Sequence, residues 1–419
     1  MDGPVLPLLC IASVALLVGI LVRRRTRREF VILGTCFAGG LALGFLIGWL
    51  IGDVWNSFDL SPSLATRIWF SATIATVAVA VAAFRGSGRL RKLVAGVGVF
   101  LFLLTGALGI NADVGWFATI GAAVGREYSG LALPPRLRVS SAPVPSAGSW
   151  HPPAGMPTRG RIGSAVIRGT VSGFQPRPAL VYLPPAAYVA HPPPLPVLVM
   201  LSGQPGGPVN LFSSGQLGTV LDDYSRAHNG LAPIVVVPDH LGQSDQNPMC
   251  LDSPLGNAAT YLTVDVPAWI SQNLNVAPDR TEWAIGGFSE GGTCAIQLGA
   301  AYPRLFGSIL DISGEIAPKR GSVQATIRDA FGGSTAAYER AKPSSILKAN
   351  APYSDTLAIF TVGSQDARYS PAATQLASDA RSAGMTVISF DSPSAHDWHS
   401  VDYSVRRALP DLARRWGLG

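Results

Sequence analysis

Four apolar stretches precede residue 115, at about Pro4–Val22, Val31–Gly52, Ala65–Phe84 and Leu93–Ile110. Each is close to the roughly 20 residues that carry a helix across a bilayer. A segment so continuously apolar has too little polar surface to face water on any side, so the first part of the chain is expected to be an all-α transmembrane region. Charged residues make up only 14% of the chain, against roughly 25% in an average soluble protein. In the third stretch Arg67 lies near the start, where its side chain can reach the membrane interface.

The first stretch does not read as a cleaved signal peptide. Its basic cluster follows the apolar run instead of preceding it, and three more runs come after. Arg23, Arg24, Arg25, Arg27 and Arg28 separate the first two stretches, and Arg85, Arg89, Arg91 and Lys92 separate the last two. Loops rich in Lys and Arg stay cytoplasmic, which predicts an extracytoplasmic location for the acidic, aromatic loop Asp53–Ser63 and for everything after the fourth helix. Gly40, Gly44, Gly48 and Gly52 form a small-residue stripe on the second helix. Such stripes let helices approach closely, inside one bundle or between copies of a chain. The spans carry no mid-membrane Asp, Glu, Lys or His, as a proton pump or transporter would require, so they are read as an anchor.

The net charge of +6 raises the question of a nucleic-acid partner. The excess is local: residues 1–115 hold ten Lys and Arg against five Asp and Glu, and the remainder holds twenty-two against twenty-one. The remainder has no basic footprint, which argues against nucleic-acid binding. Residues 116–160 form an extracytoplasmic linker, rich from 131 onward in Pro, Ser, Gly and Ala.

From residue 161 to 419 short β-branched runs alternate with helical patterns. Strands are expected at Gly163–Ser172, Ala179–Leu183, Pro196–Leu201, Ile234–Pro238, Glu282–Gly286, Ser308–Asp311, Leu357–Val362 and Val387–Phe390. Helices are expected at Ala258–Asn273, Gly291–Tyr302, Ser322–Phe331 and Pro371–Ala383. Strands separated by helices imply an α/β domain with a mainly parallel sheet, whose functional groups gather at the carboxyl ends of the strands. The first two strands suit an antiparallel pair at the sheet edge.

Gly287-Phe288-Ser289-Glu290-Gly291 matches G-x-S-x-G and lies between an expected strand and an expected helix. That is the context of a nucleophile elbow, where a sharp turn exposes the serine and glycines allow strand and helix to approach. A serine hydroxyl needs a base, and only His396 and His399 follow Ser289. His396 is preferred, because it lies six residues past the last expected strand in a Ser-Pro-Ser loop. Asp366, just past the strand Leu357–Val362, is the preferred partner for the imidazole. Asp311, Glu315, Asp391 and Asp397 compete for that role. Two oxyanion donors are expected: the backbone N–H of Glu290, directly after the serine, and that of Gln204 in the loop Ser202–Gly207.

Cys250 and Cys294 are the only cysteines outside the apolar stretches. In an oxidising compartment the pair suggests a disulfide that ties the Asn247–Pro254 loop beside the site, with two buried free thiols as the alternative. No cofactor is implied. A zinc site on His396 and His399 lacks a third ligand at suitable spacing.

The stretch Gly169–Phe174 with Val181–Pro185, the motif Gly286–Gly292, and His396-Asp397-Trp398 together resemble the "Putative esterase" family, which includes esterase D and the mycobacterial and corynebacterial mycolyltransferases. The resemblance covers about residues 165–415. It implies an α/β-hydrolase fold and serine acyl chemistry, with Ser289, His396 and Asp366 as the triad. A second tryptophan common in that family shortly after the histidine motif is replaced by Val401. The expectation is a membrane-anchored, extracytoplasmic serine esterase or acyltransferase acting on a lipid or cell-envelope ester. The alternative is a catalytically silent α/β-hydrolase-like scaffold or binding module in envelope assembly.

Overall fold

The computed structural model describes residues 4–22, 26–56, 62–85, 88–117, 119–123, 145, 148–243 and 246–419. Arg23, Arg24 and Arg25 of the first basic cluster, Phe58, and most of the Pro-rich linker lie outside the described residues. The chain divides into two compact units, Met1–Thr119 and Ile120–Gly419.

The first unit is helical: α1 (Val5–Val22), α2 (Arg27–Trp49), α3 (Leu64–Ala82) and α4 (Arg89–Val114). Among the described residues three helical segments are long and apolar enough to cross a membrane, namely Arg27–Trp55, Leu64–Ala82 and Arg89–Val114. The first expected span, α1, is a shorter apolar helix. Large apolar side chains such as Ile11, Phe30, Trp55 and Phe100 point outward, as they do where lipid is the solvent. The glycine stripe is used within the chain. A Cβ on Gly40 would lie 2.6 Å from Ala75 Cα, and one on Gly44 would lie 2.5 Å from Ser71 Cα, so α2 and α3 touch backbone to backbone. A Cβ on Gly48 would meet nothing within 4 Å. Polar groups collect at the helix ends. Thr26 and Glu29 form a capping box on α2, Arg67 pairs with Asp53 at 2.7 Å, and the hydroxyls of Ser63 and Thr66 donate to Asp113.

The second unit is built on an eight-stranded sheet. Its strands are β1 (Arg161–Ala165), β2 (Ala179–Leu183), β3 (Val197–Leu201), β4 (Ile234–Val237), β5 (Trp283–Phe288), β6 (Ser308–Ile312), β7 (Leu357–Gly363) and β8 (Thr386–Ser392). Their order is β1-β2-β4-β3-β5-β6-β7-β8. Within this sheet, among the described residues, only β1 with β2 and β2 with β4 pair antiparallel, and the other pairs are parallel. β3, β4, β5 and β6 are buried along their whole length, which is why their sequences read as unbroken apolar runs instead of alternating ones. The main helices are α5 (Pro208–Ser213), α6 (Leu217–Ala227), α7 (Val266–Asn273), α8 (Glu290–Ala301), α9 (Val323–Phe331), α10 (Thr335–Ala341), α11 (Pro343–Asn350), α12 (Ser370–Ser382) and α13 (Trp398–Arg415). A helical turn Ala258–Thr260 and a π-helical turn Tyr261–Asp265 run directly into α7, so the helix expected at Ala258–Asn273 is present over its whole length.

One expected strand is corrected. The run Gly163–Ser172 ends its pairing at Ala165, and Gly169–Phe174 folds into a turn. The Asp265 carboxylate captures that turn, accepting from Thr170 Oγ1 and from the backbone N–H groups of Val171 and Ser172 at 2.8–3.0 Å. A carboxylate that satisfies two backbone donors competes directly with a strand ladder.

Candidate functional site

Ser289 lies between β5 and α8 at φ 58° and ψ −119°. Its N–H donates to Ile312 O at 2.8 Å, which fastens the turn to the end of β6. The flanking glycines are there because nothing larger fits. A Cβ on Gly287 would lie 2.2 Å from Gly291 O, and one on Gly291 would lie 2.4 Å from Leu201 O. The serine therefore projects from a tight bend at the carboxyl edge of the sheet, at the start of a helix whose first N–H groups have no intrahelical acceptor.

The loop after β3 closes over this bend. A Cβ on Gly203 would lie 3.3 Å from Ser289 Cβ, so Gly203 passes directly beside the serine. Gln204 follows it, half-buried, through a cis peptide to Pro205.

The structure brings His396 and Asp366 together. His396 Nδ1 lies 2.8 Å from Asp366 Oδ2, and both side chains are buried. Asp366 Oδ1 accepts from Tyr369 N at 3.2 Å. The loops that carry the two residues are stitched together by backbone bonds from Ser364 N to Ser392 O and from Gln365 N to Ser394 O. The imidazole is held between the rings of Tyr369, centroids 4.1 Å apart, and Phe288, 4.8 Å. Phe288 precedes Ser289, so this contact brings the histidine to the elbow. Nε2 of His396 is buried without a hydrogen-bond partner, an acceptor left open on the side of the ring away from Asp366. His399 is exposed on α13.

The partner of His396 Nδ1 is Asp366 and none of the competing acids. Glu315 is half-buried, its backbone N–H donating to Thr293 Oγ1 at 2.8 Å. Asp397 caps α13 by accepting from Ser400 N at 2.9 Å, and Asp391 is exposed. Asp311 is fully enclosed under the elbow helix, where burial pushes its carboxyl up to about 7 against the opposing bond from Gly314 N. Val401 is wholly buried, against the backbone of Gly215.

Cys250 and Cys294 are joined, with Cα atoms 5.5 Å apart. With His240 and Glu290 they form a buried group whose ligand-type atoms all lie within 4.8 Å. The bond between the sulfurs takes both thiolates out of metal ligation. His240 Nε2 lies 2.6 Å from Glu290 Oε2. Sequence reasoning missed His240 because it looked for histidines only after Ser289. Its position just past β4, at the carboxyl edge of the sheet, was the available signal. Arg177 was missed as well. It clasps Asp239 through Nε at 3.0 Å and Nη2 at 2.6 Å, and Nη2 also donates to Gly206 O at 2.8 Å. Burial pushes the Asp239 carboxyl up, but Arg177 outweighs it and holds the group below its ordinary range.

Comparison with known proteins agrees with this architecture. The family model described as "Putative esterase" matches residues 174–402. An uncharacterized protein of Corynebacterium glutamicum is 32% identical over 379 residues, covering 88% of this chain and 86% of its own. That match is longer than the second unit, so it extends into the helical one. Among solved structures, a ferulic acid esterase aligns with a TM-score of 0.53 at 18% identity, covering 61% of this chain and 98% of its own. An S-formylglutathione hydrolase from Agrobacterium tumefaciens aligns at 0.52 and 20%, covering 63% and 97%. At such identities these two speak to the fold, which is that of the α/β-hydrolases.

Proposed function

Because this chain belongs to the "Putative esterase" family of serine hydrolases, we propose that Ser289, His396 and Asp366 act as its triad, on a lipid or cell-envelope ester outside the membrane. The observation that carries the reading is the open Nε2 of His396, on an imidazole held from its other side by Asp366 and packed against the residue before Ser289. In this reading His396 takes the Ser289 proton as the hydroxyl attacks an ester carbonyl. The C–O bond to the alcohol breaks as His396 returns the proton to the leaving alkoxide. Water, or an acceptor alcohol, then attacks the acyl-serine through the same base. Asp366 holds the imidazole in its tautomer and stabilises the imidazolium. The N–H groups of Glu290 and Gln204 would receive the oxyanion.

Apolar helices of membrane-spanning length in the same chain support a substrate at the bilayer surface. The arginine clusters between the apolar stretches support an extracytoplasmic domain. Aminoacylated phospholipids and acylated or mycolylated glycolipids share the exposed ester that such a site would take.

The test is labelling of membranes containing the full-length protein with a fluorophosphonate probe. Labelling is expected for the native chain, to be lost in Ser289→Ala, and to slow by at least about 100-fold in His396→Ala. A native chain that is folded yet unlabelled would overturn the reading and favour a silent scaffold.

A further inference from the structure

Asp239 and His240 are consecutive, wholly buried residues that leave β4 at the carboxyl edge of the sheet. Among the described residues no hydrogen bond joins them to Ser289, His396 or Asp366, yet each reaches one of the two segments that flank Ser289. His240 Nε2 meets the Glu290 carboxylate at 2.6 Å, so it grips the side chain of the residue whose backbone N–H follows the serine. Asp239 holds Arg177 by two guanidinium nitrogens and by the Arg177 backbone N–H at 2.7 Å, and the same guanidinium binds Gly206 O. Gly206 is packed on the turn that carries Gln204: a Cβ on it would lie 2.6 Å from Gly203 O. A proton on Nε2 lets the His240 ring donate to Glu290 and leaves Nδ1 as a bare acceptor. That fits the absence of any partner at the buried Nδ1, since a buried N–H without an acceptor is the rarer and costlier arrangement.

We propose that Asp239 and His240 form a two-pronged clamp that sets the distance between the two oxyanion donors, with His240 and Arg177 as positioning residues for the hydrolytic reaction. The clamp rests on the reading of Ser289 as nucleophile and of the Glu290 and Gln204 N–H groups as the oxyanion hole. Glu290 supplies its backbone to the reaction and its carboxylate to the clamp, which explains an acidic side chain that is only 7% exposed directly after the serine. The disulfide from Cys250 to Cys294, one helical turn past Glu290, fastens the far end of the same loop to the same helix. A donor that is fixed before the reaction needs no reorganisation when charge develops, which is where such holes derive their effect.

The test uses full-length protein in detergent, p-nitrophenyl butyrate as substrate, and an alkyl trifluoromethyl ketone whose serine adduct carries an oxyanion. His240→Ala and Arg177→Ala are each expected to lower kcat by about 10–100-fold with KM within about 3-fold, since a misplaced donor costs part of what a deleted one does. The ketone's inhibition constant should weaken by the same factor as kcat/KM, a proportionality that a purely structural role would not produce. His240→Gln, whose amide N–H can still reach Glu290, should recover to within about 5-fold of the native chain. Native kcat in both alanine variants, or a ketone affinity that does not follow kcat/KM, overturns the clamp. If the alanine variants do not fold, His240→Gln and Arg177→Lys decide by the same proportionality. A native chain that the fluorophosphonate probe does not label removes the oxyanion hole and the clamp with it. A native chain labelled through Ser289, beside variants that turn over normally, removes the clamp alone.

Discussion

A backbone at φ 58° costs a serine roughly 1–3 kcal/mol, and such strain persists only where the surroundings over-determine it. Here the bond to Ile312 O and the glycines at 287 and 291 do so. The elbow at Ser289 and the pairing of His396 with Asp366 were legible in the sequence, because the motif around the serine and the chain order of the other two carry them. The roles of His240 and Arg177 were not, because nothing in a linear sequence shows which buried group a side chain will reach. Asp311 carries a consequence of its own. Its carboxyl titrates near 7 when folded and near 3.8 as an ordinary carboxyl, so the unfolded chain loses the proton first as pH rises. The folded state therefore loses stability from about pH 4 to pH 7 through this group and no further above it, at up to roughly 1.4 kcal/mol per pH unit. Asp311→Asn keeps an acceptor for Gly314 N. Urea midpoints measured from pH 4 to 8 should show the variant gaining on the native chain up to pH 7 and holding level beyond. A constant difference would mean that Asp311 ionises normally.

At the scale of elements, the parallel strands were legible because buried β-branched runs bounded by helices have few other solutions. The strand expected through Ser172 was not, because the carboxylate that ends it comes from Asp265, far along the chain. The helix at Ser322–Phe331 was legible from its Ser cap and spacing, but the region from Gly332 to Pro352 was opaque. It folds as α10 and α11, two short helices, the first capped by Ser334 and the second opening on Pro343, and short helices owe their form to packing more than to propensity. The disulfide spans 44 residues of sequence, a closure that stabilises a domain by roughly 2–4 kcal/mol. The Cys250→Ala/Cys294→Ala double variant should lower the urea midpoint of the full-length protein accordingly. A reducing agent should lower the native midpoint and leave the variant unchanged. An unchanged midpoint in both would mean that the bridge adds nothing to stability.

For the whole molecule, the arginine clusters predict that the second unit faces the extracytoplasmic side. Alkaline phosphatase fused after Gly148 should be active, and a green fluorescent protein fused there through the general export route should be dark. The reverse pattern would put the esterase domain in the cytoplasm and overturn the orientation drawn from the arginine clusters. The relative that shares about a third of its residues across both units raises a question of divergence, and the stitched loops after β7 and β8 answer part of it. Their two bonds run from main chain to main chain, so they do not depend on which side chains the loops carry. Gly363 is the exception, since any Cβ there would strike Ala395 O at 2.4 Å. Side chains along these loops can therefore be exchanged one at a time without loosening the main-chain ties that hold Asp366 against His396, so long as position 363 stays glycine.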